Sequence, residues 1–294
     1  MSTRNPIPAG LVLALLLSIL APPLPTCSAA TTIDATNFYA WAANVGWLNG
    51  RGDTNNGAVI GEYVCSGYIY SANTGWINLG SGAPTNGIYY QNLAAGDFGV
   101  NQDGLGNLRG YAWGANIGWI AFENNGAPQV DLFTGGLSGW VWSANCGWIS
   151  LSNTVAYVQT DTIRQGALAR NGLPVAWLLA NWGTTDVDAN ADPDHDGMSN
   201  SQEYLAGTNP NDAASNLRIT SFHRGLGGDP NRINMQWTSQ PTRYYAIQVR
   251  PTLDAGSVWW EWFQLPWLGA DNVVFDDSNG QEFYRLRAFR PLMP

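Results

Sequence analysis

The sequence predicts a mainly β protein with an N-terminal β-hairpin repeat domain, a short helical loop-bearing linker and a C-terminal β-sandwich. Three observations predict it. A four-copy aromatic pattern runs from residue 39 to about 152, one acidic loop of regular spacing follows it, and six short alternating apolar runs fill residues 215–294. Charged residues are only 12% of the chain while glycine is abundant at 34 residues, which suits short strands and tight turns better than long helices. The expected boundaries are a leader over 1–30, the repeat domain over 31–165, the linker over 166–213 and the sandwich over 214–294.

The N-terminus carries Arg4, an uncharged run from Ala9 to Leu20 and small residues up to Ala30. This is the three-part pattern of a secretory signal peptide, and cleavage after Ala30 is the expectation. The apolar run is shorter than the roughly 20 residues a membrane-spanning helix needs. Leu24-Pro-Thr-Cys27 offers a second reading as a lipid-attachment site, with proline before threonine an awkward fit. No second long apolar stretch follows, so no membrane span is expected in the mature chain, and the protein reads as secreted or cell-surface.

The balance of 13 basic against 22 acidic residues gives a net charge of −9. Every basic residue is arginine, and none form a polybasic stretch. Nucleic acid and anionic lipid are therefore not expected partners.

The repeat domain is marked by four segments: Tyr39-Ala-Trp41-Ala-Ala-Asn44-Val-Gly46-Trp47, Gly67-Tyr68-Ile-Tyr70-Ser-Ala-Asn73-Thr-Gly75-Trp76, Gly110-Tyr111-Ala-Trp113-Gly-Ala-Asn116-Ile-Gly118-Trp119 and Gly139-Trp140-Val-Trp142-Ser-Ala-Asn145-Cys146-Gly147-Trp148. Asn44 and Asn73 stand 29 residues apart, as do Asn116 and Asn145, so the units pair and the pair repeats. Strand, Ala-Asn-x-Gly, strand is the grammar of a hairpin whose type I turn ends on a left-handed glycine. Alternation then gives each hairpin an aliphatic face (Ile77 and Leu79, or Ile149 and Leu151) and an aromatic face. The expectation is that both are buried, the aromatic one against a neighbouring repeat, because Trp and Tyr bury large areas. The functional reading makes Tyr68, Tyr70, Trp76, Tyr111, Trp113, Trp119, Trp140, Trp142 and Trp148 an exposed flat platform for sugar rings or for a partner surface. These segments resemble the aromatic Gly-Tyr-Ala-Trp…Asn-x-Gly-Trp-Ile repeats of exported bacterial surface proteins, a resemblance that implies location more than activity.

Cys65 takes an inward strand place that Leu108 and Leu137 hold in later copies, and Cys146 replaces Val45, Thr74 and Ile117 at the turn. In an exported chain this pair invites one disulfide closing a loop of about 80 residues. Two buried thiols are the equally open alternative.

In the linker, Pro174-Val-Ala-Trp-Leu-Leu-Ala-Asn-Trp182-Gly183 predicts a short helix bounded by proline and glycine. Counting Asp192 as position 1 puts Asp194 at 3, Asp196 at 5, Gly197 at 6, the Met198 carbonyl at 7, Asn200 at 9 and Glu203 at 12. That is the ligand set of an EF-hand-type calcium loop, which supplies the hard oxygens that Ca2+ requires. Ser199 at position 8 and a helix ending at Gly207 depart from intracellular sensors. The stretch Asp192–Asp212, with Glu203-Tyr-Leu-Ala-Gly-Thr-Asn-Pro, resembles the bacterial thrombospondin type 3-like repeat. That resemblance implies a structural brace, with His195 a solvent-facing bystander and Asp186, Asp188 and Asp212 candidate outer ligands.

The last region alternates at Leu217–Thr220, Ile233–Trp237, Tyr244–Val249, Val258–Phe263, Val273–Phe275 and Phe283–Phe289, which predicts a small sandwich. The Trp237, Tyr245 and Tyr284-Arg-Leu-Arg strands resemble a fibronectin type III-like module. Trp259, Trp260, Trp262 and Trp267 are expected to pack in the core and on sheet faces.

Catalysis is the rival class. The only histidines are His195 and His223, and nucleophile-elbow, zinc-helix and phosphate-loop motifs are all missing. A carboxylate pair drawn from Asp97, Asp103, Glu123 and Asp131 is the one enzymatic arrangement that would leave no local signature. The expected role is a non-catalytic structural or adhesive protein, with a carbohydrate-binding module as the alternative. The partners would be cell-wall or extracellular polysaccharide or a surface protein.

Overall fold

The computed structural model describes residues 31–265, 268–278 and 283–293. The expected leader over 1–30, with both readings of its end, and Trp267 lie outside the described residues. The protein is mainly β, with 18 strands and two α-helices among the described residues. No described helix is long and apolar enough to cross a membrane.

The first hairpin is β1 (Ile33–Ala42) with β2 (Gly46–Asn49), and the second is β3 (Ser66–Ser71) with β4 (Gly75–Ser81). A short β5 (Val100–Gln102) precedes the third, β6 (Leu108–Gly114) with β7 (Gly118–Phe122). The small pair β8 (Gln129–Val130) and β9 (Leu137–Ser138) leads to the fourth, β10 (Trp140–Ser143) with β11 (Gly147–Ser150), and then β12 (Val158–Thr160). Each hairpin pairs with the next, and β11 returns to pair with β1. Eight strands thus close into a barrel and leave no free edge among themselves.

The closure is regular. Asn49 opposes Tyr70, Asn78 opposes Trp113, Ala121 opposes Trp142 and Ser150 opposes Trp41, the same repeat position at all four junctions. The turn glycines Gly46, Gly75, Gly118 and Gly147 have φ of 73°, 77°, 70° and 78°, the left-handed region the spacing predicts. Each turn asparagine then donates from Nδ2 to a carbonyl in the preceding turn. The bonds are Asn73 to Val45 at 3.1 Å, Asn116 to Thr74 at 3.0 Å, Asn145 to Ile117 at 3.1 Å and Asn44 to Cys146 at 3.1 Å. The four bonds form a ring around one end of the barrel.

Alternation places the aliphatic face inside, where Leu48, Ile77, Ile120 and Ile149 form one layer against the small Ala42, Ser71, Gly114 and Ser143. Val45, Thr74, Ile117 and Cys146 close the layer beneath the turns. The aromatic face is outside, contrary to the expectation of burial against a neighbouring repeat. The physical reason is volume: an eight-stranded barrel has an interior just wide enough for side chains, and aliphatic and small residues already fill it to a residual cavity of about 40 Å³.

The linker holds α1 (Val175–Trp182), which begins after Pro174 and ends on Gly183 at φ 68°, and α2 (Asn200–Ala206), which ends on Gly207 at φ 76°. Leu173, Trp177, Leu178 and Tyr204 form a small core between the two helices. The C-terminal region has β13 (Ile219–Arg224), β14 (Arg232–Trp237), β15 (Tyr244–Arg250), β16 (Trp260–Gln264), β17 (Asn272–Asp276) and β18 (Phe283–Phe289). They make two three-stranded sheets, β13-β14-β17 and β16-β15-β18, which share a core of Met235, Trp237, Tyr245, Ile247 and Val249. β13 begins two residues later than its alternation suggests, since Leu217 is drawn toward Met198 instead: its amide donates to Met198 Sδ at 3.1 Å. Trp262 packs on Phe275 and Tyr284, Trp259 lies beneath the Arg285 guanidinium at 4.5 Å, and Trp260 stays exposed.

Cys65 and Cys146 are both buried free thiols, the second of the two alternatives left open by the sequence. Cys146 sits under the hairpin turns. Cys65 lines the interior with Leu79, Phe122 and Leu151, which lie beyond Ile77, Ile120 and Ile149 on their strands, further from the turns. Burial pushes the Cys65 thiol up to about 12.

Candidate functional site

The acidic loop turns through two left-handed residues, His195 at φ 62° and Gly197 at φ 95°. Each aspartate spends oxygen on loop amides. Asp192 accepts from the amides of Asp196 at 3.2 Å and Gly197 at 3.0 Å; Asp194 Oδ1 accepts from Asp196 at 3.2 Å; Asp196 Oδ1 accepts from Met198 at 2.7 Å. One carboxylate oxygen from each of Asp192, Asp194 and Asp196 then lies within 4.8 Å of the others.

Helix α2 supplies the next two residues. Asn200 donates its Nδ2 to the Asp188 carbonyl at 2.7 Å, and its own amide to Ala191 at 2.9 Å. Glu203 is fully buried, and desolvation together with the charges of Asp194 and Asp196 pushes its carboxyl up to about 7. Asp194 Oδ2, Asp196 Oδ2, Asn200 Oδ1 and Glu203 Oε2 are all buried and lack a hydrogen-bond partner. Four of the ten such orphaned atoms among the described residues therefore fall on predicted ligands. Buried acceptors without partners are costly, and a cation is the species that satisfies several at once.

The Asp192–Asp194–Asp196 cluster does not include the predicted outer residues Asp186, Asp188 and Asp212, whose side-chain and amide bonds are to near neighbours in the chain. Asp188 Oδ1 accepts from Asn190 at 2.9 Å, Asp212 Oδ1 accepts from Ala214 at 3.0 Å, and the Asp186 amide is taken by Thr184 at 3.2 Å. His195 is exposed, as the bystander reading requires.

The same helix links the two β regions, a feature the loop spacing did not reveal. Beside Glu203, the Tyr204 hydroxyl donates to Glu62 Oε2 at 2.9 Å and accepts from Gln165 Nε2 at 2.9 Å. Arg290, just after β18, pairs with Glu62 and lies over the Tyr204 ring at 4.8 Å. From the other side, Arg243 donates to the carbonyls of Leu205 at 2.7 Å and Tyr204 at 3.1 Å and so caps the end of α2. Met198, inside the loop, packs on the C-terminal core.

Comparison of the chain with family models, with curated proteins and with solved structures finds no match. The reading of each site therefore rests on its own residues.

The second candidate is the aromatic belt. Of its twelve rings, eleven are exposed, from 37% at Tyr39 to 47% at Trp148, and Tyr111 is half-buried. Together they present on the order of 1,000 Å² of aromatic surface, distributed around the barrel. Trp41 opposes Trp47, Tyr70 opposes Trp76, Trp113 opposes Trp119 and Trp142 opposes Trp148 across each hairpin. The flat platform of the alternative, functional reading is not formed within the hairpins, because neighbouring rings are steeply tilted: Tyr70 and Trp76 at 56°, Trp113 and Trp119 at 63°, Tyr68 and Trp76 at 81°. The carboxylates considered for catalysis are turn residues. Asp97 accepts from the amides of Thr85 and Gln91, Asp103 from Leu105 and Asn107, and Asp131 from Phe133 and Thr134. Glu123 accepts from the Tyr111 hydroxyl at 3.3 Å.

Proposed function

We propose that this is a secreted or cell-surface, non-catalytic structural or adhesive protein whose junction between two β domains is braced by one calcium ion. The observation that carries the reading is the set of four buried, partnerless oxygens on Asp194, Asp196, Asn200 and Glu203 beside Asp192. Those side chains and the Met198 carbonyl would hold the ion, an all-oxygen donor set that fits a hard cation better than zinc or copper. When bound, calcium supplies charge neutralisation to four carboxylates that otherwise repel one another. Glu203 is followed in the chain by Tyr204 and Leu205, the residues that touch the barrel and Arg243, so fixing Glu203 fixes the junction. The finer architecture belongs to the same proposal: a hairpin-repeat domain over 31–165, a thrombospondin type 3-like linker over 166–213 and a fibronectin type III-like sandwich over 214–294. The test is calorimetric titration of the chelator-treated protein with calcium. One site per chain, lost in Asp196→Ala and Glu203→Ala, is expected; a flat titration would refute it.

The exposure of the aromatic belt supports a second reading, a carbohydrate-binding module in the N-terminal domain. Sedimentation with insoluble polysaccharides and cell-wall material tests it, and failure to sediment with any of them removes it.

A further inference from the structure

The second reading can be narrowed to one place, because the two junctions that the duplication makes equivalent share a register yet differ in what surrounds them. Between the third and fourth hairpins lies an open cleft of about 230 Å³, walled by Trp140, Trp142 and Trp148 and edged by Glu123 and Asn125. The duplication puts Tyr68, Tyr70, Trp76, Arg51 and Asn56 at the matching positions between the first and second hairpins. A longer loop crowds that counterpart. The first copy has three more residues between Gly46 and Asn55-Asn56-Gly57 than the third has between Gly118 and Asn124-Asn125-Gly126. The longer loop leans on Tyr70 so closely that a Cβ on Gly52 would come within 2.4 Å of the Tyr70 Cβ. Arg51 is turned away to donate to the Ile33 carbonyl.

We propose that the cleft between the third and fourth hairpins is a subsite for one gluco-configured pyranose unit of a polysaccharide. This rests on the carbohydrate reading above. Indole faces are apolar and electron-rich, and a pyranose with equatorial hydroxyls offers them a complementary face of axial C–H groups. The ring's hydroxyls need acceptors and donors at the edge: Glu123, held by the Tyr111 hydroxyl, accepts, and the Asn125 amide does both. No arginine lines the cleft, so an anionic sugar is disfavoured beside Glu123. The volume falls below the roughly 300–1,000 Å³ of drug-sized pockets, so the cleft seats one ring of a chain and leaves its neighbours outside. A single small subsite of this kind binds with Kd on the order of 1 mM.

The test titrates the full chain, in calcium, with cellohexaose, xylohexaose, chitohexaose and, as the contrast with an axial hydroxyl, β-1,4-galactohexaose, read by ligand-observed NMR and tryptophan fluorescence. At least one of the first three should bind more tightly than the galactan. Trp142→Ala should weaken that binding at least ten-fold and Glu123→Gln several-fold, while Tyr70→Ala at the crowded counterpart should change it less than two-fold. Unchanged melting and circular dichroism of Trp142→Ala show that the outward-facing truncation leaves the barrel folded; if it unfolds, Trp148→Phe carries the same comparison. Equal weakening by Trp142→Ala and Tyr70→Ala would overturn the subsite while leaving the belt reading in place. No binding of any hexasaccharide would overturn it too, and whether insoluble polysaccharide still sediments the protein then decides the fate of the broader reading.

Discussion

Replacing any one turn asparagine with alanine should cost the same, whichever copy it sits in. The four Nδ2 donors reach the preceding turn at 3.0–3.1 Å, and the acceptor residues Val45, Thr74, Ile117 and Cys146 are all buried. Deleting one donor removes a hydrogen bond worth about 1 kcal/mol, with water able to reach the exposed rim and limit the damage. Each variant should therefore lose about 1 kcal/mol, or roughly 2–4 °C in melting temperature for a chain of this size. Asn44 is the informative position, since its bond to Cys146 spans 102 residues and helps close the barrel, whereas Asn73 spans 28. Asn44→Ala, Asn73→Ala, Asn116→Ala and Asn145→Ala, melted side by side by differential scanning calorimetry, should agree within about 0.5 kcal/mol. A neutral Asn44→Ala beside three destabilised variants would refute the closed ring.

Three further outcomes follow from the geometry. Glu62 and Arg290 form a mostly buried pair at the junction, so Arg290→Ala should cost about 3 kcal/mol by denaturant unfolding, and the double change Glu62→Gln with Arg290→Gln should recover part of it; a cost below about 0.5 kcal/mol would contradict the pairing. Cys65 and Cys146 should resist a thiol reagent in the native protein, react in denaturant and leave the melting temperature unmoved by reductant; a reductant-dependent shift would restore the disulfide. Glu203, pushed up to about 7, holds its proton more tightly in the metal-free fold than in the unfolded chain. Metal-free stability should hence fall as pH rises from about 5 to 7, and calcium affinity should rise over the same window as that proton is displaced and then level off. A pH-independent affinity between 5 and 7 would count against it.

The hairpins and their inner face were legible because local rules decide them. Glycine at the left-handed turn position and strict alternation leave one register, and Ile77, Leu79, Ile149 and Leu151 are buried accordingly. The destination of the outer face was not legible. Alternation separates two faces without saying which one is covered, and only the return of β11 to β1 fixes an interior too narrow for twelve aromatic rings. The Cys65–Cys146 bridge failed for a related reason, since repeat positions do not reveal that one cysteine lies under the turns and the other deeper along the strands. The clustering of Asp192, Asp194 and Asp196 was legible from spacing alone, because consecutive alternating oxygens around a glycine bend are a local property. The Glu62–Tyr204–Arg290 contact was not, for it joins residues 142 and 228 positions apart with no periodic signal.

Calcium-dependent melting and proteolysis of the junction test the central proposal most directly. At 100 times its dissociation constant a ligand that binds only the folded loop adds roughly 2.7 kcal/mol, which corresponds to about 5–11 °C in this chain. Saturating calcium should raise the melting temperature by that amount over a chelator control and protect residues 184–212 from protease, with strand content the same in both. Asp196→Ala should behave in calcium as the wild type does in chelator. Identical melting and identical cleavage of 184–212 with and without millimolar calcium would contradict the account.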